Sequence, residues 1–492
     1  MMKIKVNTIG LIFLVAGFFL ILLGMLFDSP QFYTYVTLVY WVIGVVYSLL
    51  DIRHNFPLFS YNVGFFFFLL GGYFIDFLKE GNFSYFLDSS APASDNAVKH
   101  TCFCLMLTSV VINATYIAFS KKKDYVTKVR IDNNTSKVFI LRKILVLLLV
   151  LTYACDLYCS ITDMIFVRSV SYRDSMMYLS NTSVIIVSLS SLYYILLFIY
   201  WATLPPKWPT IISILSLILT GTFNLIAGDR GGFISSCLVI CYFILFRNKF
   251  GLCDIVIKKK VVFVAILLIP FVMHGLQAIS YIRNNQDYEE NVVDGMASFI
   301  YTQGGSVRII AEGYDLDAEI NDLVGGKRSF TFGEIKRYMK SNIFTRVLTG
   351  ESKSLRTIED AQSGESFQQS YGYILSPYAY FRQVGGGSTY IAEVYYDGGY
   401  IFLCIFNLFI VFLLLKMGSG GSNSIIGNAI MFNIIRFIPL LPRGIAFKWF
   451  TDTFAIQNLI VFLAVWLFLH EKSTNKAPKI YNTSDNTYED KK

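Results

Sequence analysis

Apolar residues occur along this chain in runs long enough to cross a membrane. About 20 apolar residues span a hydrocarbon core of about 30 Å, so the pattern predicts twelve transmembrane helices. The first run is too long for the apolar region of a signal peptide and is followed by DSP, so it is predicted to remain as an anchor. The predicted spans are roughly 9–27, 32–50, 57–78, 101–119, 144–166, 183–204, 210–228, 231–246, 261–281, 391–415, 425–441 and 452–470.

Composition and the placement of basic residues support this all-α polytopic architecture. The 492 residues are 54% hydrophobic and only 15% charged, whereas soluble domains carry roughly 25% charged residues. Lysine and arginine are concentrated in alternate short loops, which predicts that the N- and C-termini are cytoplasmic. This bias accounts for the net charge of +8 and indicates no nucleic-acid partner.

The spans divide the chain into four predicted regions. Nine transmembrane helices (1–281) precede a large, partly helical periplasmic loop (282–390). Three further transmembrane helices (391–471) and a disordered, cytoplasmic tail (472–492) follow, the tail being polar and charged.

Cysteine and histidine form no recognisable ligand set. Two cysteine pairs, Cys155/Cys159 and Cys237/Cys241, are one helical turn apart, which suits either a metal pair or the packing of small residues between helices. We favour packing, and we expect no metal and no other cofactor. The sequence also lacks a P-loop and a Rossmann fingerprint.

The stretch GDRGG at 228–232 places Asp229 and Arg230 between two membrane-length runs. Charged groups in the hydrocarbon are costly, so this turn is predicted to lie at the outer membrane surface, with Arg230 at the start of a helix. An arginine fork beside a helix N-terminus is an anion site well matched to phosphate. The alternative is that Arg230 extends towards water and pairs with Asp229.

Other arginines also fall near predicted outward ends of the spans. Arg283 follows span nine and Arg443 follows span eleven, and three guanidinium groups around one site would hold a diphosphate. Arg308 and Arg382 either join this site or face water. Arg436 lies deeper, where pairing within the bundle and a functional role are both open.

A second dense patch lies at residues 372–402, GYILSPYAYFRQVGGGSTYIAEVYYDGGYIF. Glu393 and Asp397 are spaced i, i+4 and so share a helix face. Either carboxylate could accept a proton from a sugar hydroxyl or pair with an arginine, and the tyrosines offer stacking surfaces for sugar rings. The alternative, an aromatic interfacial belt with solvated acids, leaves the glycine run unexplained.

These stretches resemble the O-antigen polysaccharide polymerases of the Wzy type. The similar motifs are YILSPYAYFRQVGGGSTYIAEVYYDGGYIF, the GDRG turn at 228–231, FIYTQGGSVRIIA at 299–311 and IPLLPRG at 438–444. The many spans and the single large late loop are also similar. The chain departs from the family pattern at Gly398, where phenylalanine is usual, and at Phe402, where glycine is usual.

The resemblance implies a membrane glycosyltransferase of GT-C-like architecture in the inner membrane. Such an enzyme joins undecaprenyl-diphosphate-linked repeat units into O-antigen or a similar surface polysaccharide at the periplasmic face, transferring the growing chain onto the incoming unit. Its implied partners are the lipid-linked donor and acceptor, membrane lipids and a chain-length-regulating co-polymerase.

The resemblance also implies roles for individual residues. Arg230, Arg443 and Glu393 are the expected catalytic residues, with the arginines and Arg283 on the diphosphates and Glu393 as general base or acceptor guide. Expected contacts with diphosphate or sugar come from Arg308, Arg382, Asp229, Gly386, Gly387, Ser388 and Tyr395.

Two other functions fit the same architecture. An O-antigen ligase would use the same arginines, but we would expect an outward histidine in the loop at 282–390, and none of the four histidines falls there. A flippase or exporter of the lipid-linked oligosaccharide would show internal symmetry and charges at mid-membrane. Here the unusual charges gather at one predicted face, which favours an enzyme over a transporter.

Overall fold

The computed structural model describes residues 8–80, 93–120, 136–169, 183–250, 252, 259–283, 287–342, 345, 356–383, 387–418 and 424–470. Within these ranges every regular element is a helix, as the apolar runs predict. The predicted disordered tail at 472–492 and the basic loop at 121–130 lie outside the described residues.

Ten α-helices precede the large loop. They are α1 (Thr8–Phe27), α2 (Pro30–Leu50), α3 (Ile52–Phe65), α4 (Gly71–Glu80), α5 (Asp95–Phe119), α6 (Ser136–Ser169), α7 (Val184–Ala202), α8 (Lys207–Ile226), α9 (Arg230–Lys249) and α10 (Lys259–Arg283). A single π-helical turn, Phe66–Leu70, joins α3 to α4, so together they form one span over Ile52–Leu78.

The remainder of the described chain contains shorter helices and three apolar ones. The large loop forms α11 (Val292–Gly304), α12 (Arg308–Asp315), α13 (Asp317–Leu323), α14 (Phe330–Lys340), α15 (Ile358–Gln362), α16 (Phe367–Leu375) and α17 (Pro377–Phe381). It is followed by α18 (Tyr390–Gly418), α19 (Ile425–Phe437), a 3₁₀ helix (Ile438–Arg443), α20 (Lys448–Thr453) and α21 (Ile456–His470).

Ten of the described helical segments are long and apolar enough to cross a membrane, and each matches a predicted span. The predicted spans at 261–281 and 452–470 correspond to shorter apolar helices, Leu267–Ile279 and Ile456–His470. The prediction of one helix from 452 was wrong, because α20 ends at Thr453 and α21 begins only at Ile456.

The predicted helix at 425–441 was also wrong in its last turn. The α-helix ends at Phe437 and continues as a 3₁₀ helix that contains Pro439 and Pro442. Proline lacks the N–H that an α-helix requires and disfavours the α conformation of the residue before it. The chain therefore leaves α19 through a tighter helix, which ends at Arg443.

Helix α5 forms the centre of the bundle and is enclosed by α1, α2 and α18. The side of α1 that meets α5 carries Gly10, Gly17 and Gly24, all buried. A Cβ atom at Gly10 would lie 2.4 Å from the Cα atom of Ala118, so the glycine permits direct contact between the two helix backbones. The outward faces of α1 and α6 expose large apolar side chains, as lipid requires.

Buried polar side chains connect three helices of the bundle. The Tyr61 hydroxyl lies 2.8 Å from that of Tyr390, which donates to the Asn407 side chain at 2.9 Å. The Asn407 amide in turn donates to Thr108 at 3.2 Å. These bonds join α3, α18 and α5, and they satisfy polar groups that would be costly to bury alone.

The loop helices pack around a second, smaller core on one side of the bundle, here called the loop face. Its buried members include Ile320, Phe330, Phe367 and Tyr396. Tyr396 belongs to α18, so this core rests on the first turns of a membrane-length helix. The Asp315 carboxylate accepts hydrogen bonds from Ser94 at the start of α5, which ties the loop to the bundle at a second point.

We predict that Gly64→Ala destabilises the protein by roughly 1–3 kcal/mol, the usual cost of overpacking a core. A Cβ atom at Gly64 would lie 1.9 Å from the carbonyl oxygen of Pro439, whereas one at Gly275 meets nothing within 4 Å. Gly275→Ala is therefore the matched control. Thermal unfolding of the detergent-purified variants should show a lower Tm for Gly64→Ala alone, and equal Tm values would contradict the close packing of α3 on the 3₁₀ helix.

Candidate active site

The turn before α9 is shaped by an aspartate and two glycines. Gly228 has φ 106°, a conformation that favours glycine. Asp229 caps the helix, since its Oδ1 atom accepts a hydrogen bond from the Gly232 N–H at 2.9 Å. A Cβ atom at Gly232 would lie 2.3 Å from the Asp229 Oδ2 atom. The sequence GDRGG therefore builds a capped helix N-terminus with Arg230 as its first residue.

Arg230 and Arg443 both contact α11, although they are distant in sequence. The Arg230 guanidinium carbon lies 5.9 Å from the centre of the Phe299 ring. The Arg443 Nη1 atom donates to the Gln303 side-chain oxygen at 3.0 Å. Residues four apart share a helix face and are separated by about 6 Å along the axis. One face of α11 therefore brings together the two arginines that the sequence assigns to a single site.

Small residues hold α11 close against the span formed by α3 and α4. A Cβ atom at Gly304 would lie 2.4 Å from the Gly72 nitrogen, so the two backbones touch. The same approach places the Phe68 ring centre 5.6 Å from the Arg443 guanidinium carbon. Both cations thus lie beside aromatic rings, Arg230 half-buried and Arg443 exposed.

Glu393 is buried and joins the start of α18 to the segment that follows Arg443. It is 1% exposed, its Oε1 atom accepts from the Ser388 hydroxyl at 2.6 Å, and its Oε2 atom accepts from the Ala446 N–H at 2.8 Å. Ala446 is three residues beyond Arg443, so this carboxylate fixes the backbone that carries the arginine. Both oxygen atoms of Glu393 therefore accept a hydrogen bond.

Asp397 engages a different segment from the same face of α18. Its two oxygen atoms accept hydrogen bonds from the Phe330 N–H at 2.9 Å and the Thr331 N–H at 2.7 Å. These are the first N–H groups of α14, which lack partners within their own helix. The i, i+4 acid pair is thus two anchors: Glu393 holds the Arg443 segment, and Asp397 holds the loop.

The departures from the family pattern lie next to one another in space. Helix α18 is kinked at Gly398 and Gly399, and Gly399 has φ 66°. A Cβ atom at Gly398 would lie 2.6 Å from the Cβ atom of Phe402. The absence of a side chain at 398 therefore leaves room for the larger one at 402.

Tyr395 belongs to an aromatic cluster between α18 and α5. Its ring centre lies 4.2 Å from that of His100 and 4.9 Å from that of Tyr400. The Nδ1 atom of His100, which is buried, lies 2.8 Å from the Tyr400 hydroxyl. In the structure Tyr395 packs the loop core against the bundle.

Arg308 begins α12, and Arg382 directly follows α17. Tyr371 donates a hydrogen bond to Glu312. Burial, reinforced by the Glu312 charge, raises the pKa of the Tyr371 hydroxyl, and nearby Arg308 opposes this rise. Arg382 donates to the Tyr378 hydroxyl at 2.9 Å.

The remaining predicted site residues are only partly described. Arg283 ends α10, but its side chain and Gly386 lie outside what the structure describes. Gly387 packs on Ile309, whose Cδ1 atom would lie 2.7 Å from a Cβ atom there.

Arg436 lies on α19 and contacts α7 within the bundle. Its guanidinium carbon is 3.6 Å from the centre of the Tyr194 ring, and it interacts electrostatically with Asp156. Asp156 also accepts a hydrogen bond from Ser190 at 2.9 Å. These contacts favour the structural alternative for Arg436.

Several contacts of the site are absent from the sequence-based prediction. Phe299 and Gln303 lie within FIYTQGGSVRIIA, so the motif marked the segment without marking its contact residues. Phe68 lies within a run of phenylalanines that predicts a transmembrane span and nothing about a site. The Ala446 N–H is a backbone group, so the residue type at position 446 does not predict its hydrogen bond to Glu393.

The fold and the site together define a polytopic membrane protein with paired arginines at one end of its helical bundle. The family model for the O-antigen polysaccharide polymerase Wzy matches residues 9–476, nearly the whole chain. The chain belongs to this family and is a glycosyltransferase that polymerises lipid-linked oligosaccharide repeat units. Neither the comparison with curated proteins nor that with solved structures gave a significant match.

We predict that Glu393→Gln lowers stability by about 1–3 kcal/mol, the cost of an unsatisfied buried polar group. Glutamine replaces one of the two acceptor oxygens with an NH2 group, so the Ser388 hydroxyl can no longer donate to it and buried donor hydrogens are left without an acceptor. Thermal unfolding in detergent measures the change. The exposed Glu319 provides the control, and Glu319→Gln should change stability by at most about 0.5 kcal/mol. Equal stability of the two variants would refute the anchoring role.

Proposed function

We propose that Arg230, Arg443 and the N-terminus of α9 bind the diphosphate of an undecaprenyl-linked substrate, at a loop face that is periplasmic. The observation that carries this proposal is the contact of both arginines with one face of α11, through Phe299 and Gln303. The loop at 282–390 is then a periplasmic domain of an inner-membrane protein with cytoplasmic termini.

Charge stabilisation of the leaving group is the main catalytic task in this reaction. The acceptor's non-reducing hydroxyl attacks the anomeric carbon of the donor's first sugar, and undecaprenyl diphosphate leaves with the bonding electrons. Guanidinium forks form paired, charge-assisted hydrogen bonds with phosphate oxygens. Donors fixed before the reaction need no reorganisation as charge develops, and one such donor contributes roughly 10²–10³ in rate.

The two acids of α18 support this site without needing to contact substrate. Glu393 positions Arg443 through Ala446, and Asp397 positions α14. We assign contacts with the saccharide or with the second diphosphate to Arg283, Arg308 and Arg382. A chain-length-regulating co-polymerase is the protein partner that this role implies.

We expect Arg230→Ala and Arg443→Ala each to block polymerisation while leaving the protein in the membrane. Silver-stained lipopolysaccharide gels of a deletion strain complemented with each variant should show core carrying one repeat unit. Loss of ligation or of export would leave unmodified core without the one-unit band, so the gel separates a polymerisation defect from both.

Two further variants sharpen this test. Arg230→Lys should restore the ladder only in part, because a point charge lacks the planar fork. Arg53→Ala, at an exposed arginine in the first turn of α3, should leave the ladder intact. Full-length ladders from Arg230→Ala and Arg443→Ala would exclude the diphosphate role.

The proposed orientation predicts which introduced cysteines react from outside the cell. Glu319→Cys, exposed on α13, should label with a membrane-impermeant maleimide in intact spheroplasts. Arg53→Cys should label only after lysis. Labelling is measured as the increase over the parent chain, which supplies the background from native cysteines. The reverse pattern would place the loop face in the cytoplasm.

A further inference from the structure

We infer that Asp229 is the general base that takes the proton from the acceptor hydroxyl. This inference rests on the proposed diphosphate site at Arg230 and Arg443. The structure leaves the reaction without a base at the residues that the motif suggests, since the oxygen atoms of Glu393 and Asp397 are engaged by the groups they anchor. Glu393 is also 1% exposed, so an acceptor hydroxyl has no open approach to it.

Asp229 combines a fixed position with an available oxygen atom. Its Oδ1 atom is held by the Gly232 N–H at 2.9 Å, which orients the carboxylate. Its Oδ2 atom accepts no hydrogen bond from any residue that the structure describes, and the side chain is exposed. A base needs both features, because the proton must arrive at a defined point and find a lone pair there.

The neighbouring residue places this oxygen beside the reacting bond. Arg230 follows directly in the chain and is assigned to the diphosphate, the group that leaves from the anomeric carbon. A hydroxyl that displaces the diphosphate attacks this carbon from the opposite face, so the inference requires the Asp229 Oδ2 atom to reach the hydroxyl on that face. Within the loop, Asp294 accepts a hydrogen bond from Asn291, Glu312 from Tyr371 and Asp315 from Ser94.

The step balances without any further reactant. The acceptor oxygen forms a bond to the anomeric carbon, and its proton passes to the Asp229 Oδ2 atom. The bond between that carbon and the diphosphate oxygen breaks, and its electron pair remains on the diphosphate, where Arg230 and Arg443 stabilise the charge. Asp229 then releases the proton to water before the next cycle.

The decisive variant is Asp229→Asn, because asparagine caps helices about as well as aspartate but cannot accept this proton. With purified full-length protein and a lipid-linked repeat unit as substrate, kcat should fall by about 10²–10⁴-fold. KM should stay unchanged or decrease, since a negative charge beside the diphosphate is removed.

A purely structural role for Asp229 gives a different set of results. Asp229→Ser retains a cap without a base, so under the structural alternative both Asp229→Asn and Asp229→Ser keep kcat near the wild-type value. Under our inference both lose it while their Tm stays near that of the wild type. Wild-type kcat for Asp229→Asn would overturn the assignment, as would a raised KM with unchanged kcat.

The inference and the proposed site can fail separately. If Arg230→Ala and Arg443→Ala abolish polymerisation but Asp229→Asn does not, the diphosphate site stands and the base lies elsewhere. If the arginine variants retain full ladders, the site itself is refuted and Asp229 loses its reason to act there.

Discussion

The hydrogen bond from the Ala446 N–H to the Glu393 carboxylate connects the two late motifs of the chain. Burying a carboxylate is costly unless donors surround it, and this one is 1% exposed with Ser388 as its second donor. The cost of leaving it unpaired therefore holds the segment from Pro439 to Ala446 in one position. Because Arg443 belongs to this segment, its position is fixed as well, and so is its contact with Gln303.

Close backbone contacts fix the other half of the site. Gly64 meets Pro439 and Gly304 meets Gly72 at distances that no side chain would allow, so α3, α4, α11 and the 3₁₀ helix form one packed unit at the loop face. Van der Waals contact of this kind drives helix association where lipid removes most of the hydrophobic advantage. This packed unit holds the two arginines in place, so their charges are preorganised for an incoming anion.

The sequence allowed the spans to be predicted because lipid imposes length and apolarity directly on residue type. It failed at the ends of α19 and α20, where prolines and local turns decide the helix type. Arg230 and Arg443 were found because charge at a span end is costly and so conspicuous. Phe68, Phe299 and Gln303 were not, because their role follows from the crossing of α11 with α4, which no local pattern encodes. The resemblance to the family identified the motifs, but the contacts that their residues make are set by the folded structure.

The acids of the site show why residue type alone assigns roles poorly. Glu393 lies in the most distinctive motif of the chain, yet each of its oxygen atoms already accepts a hydrogen bond. Both oxygen atoms of Asp397 accept hydrogen bonds from N–H groups at the start of α14. Asp229 sits in a shorter and less specific motif, but one of its oxygen atoms accepts nothing from the described residues. A proton acceptor is defined by an available lone pair at the right place. In this membrane site the most deeply buried carboxylate is therefore the least suited to be the base.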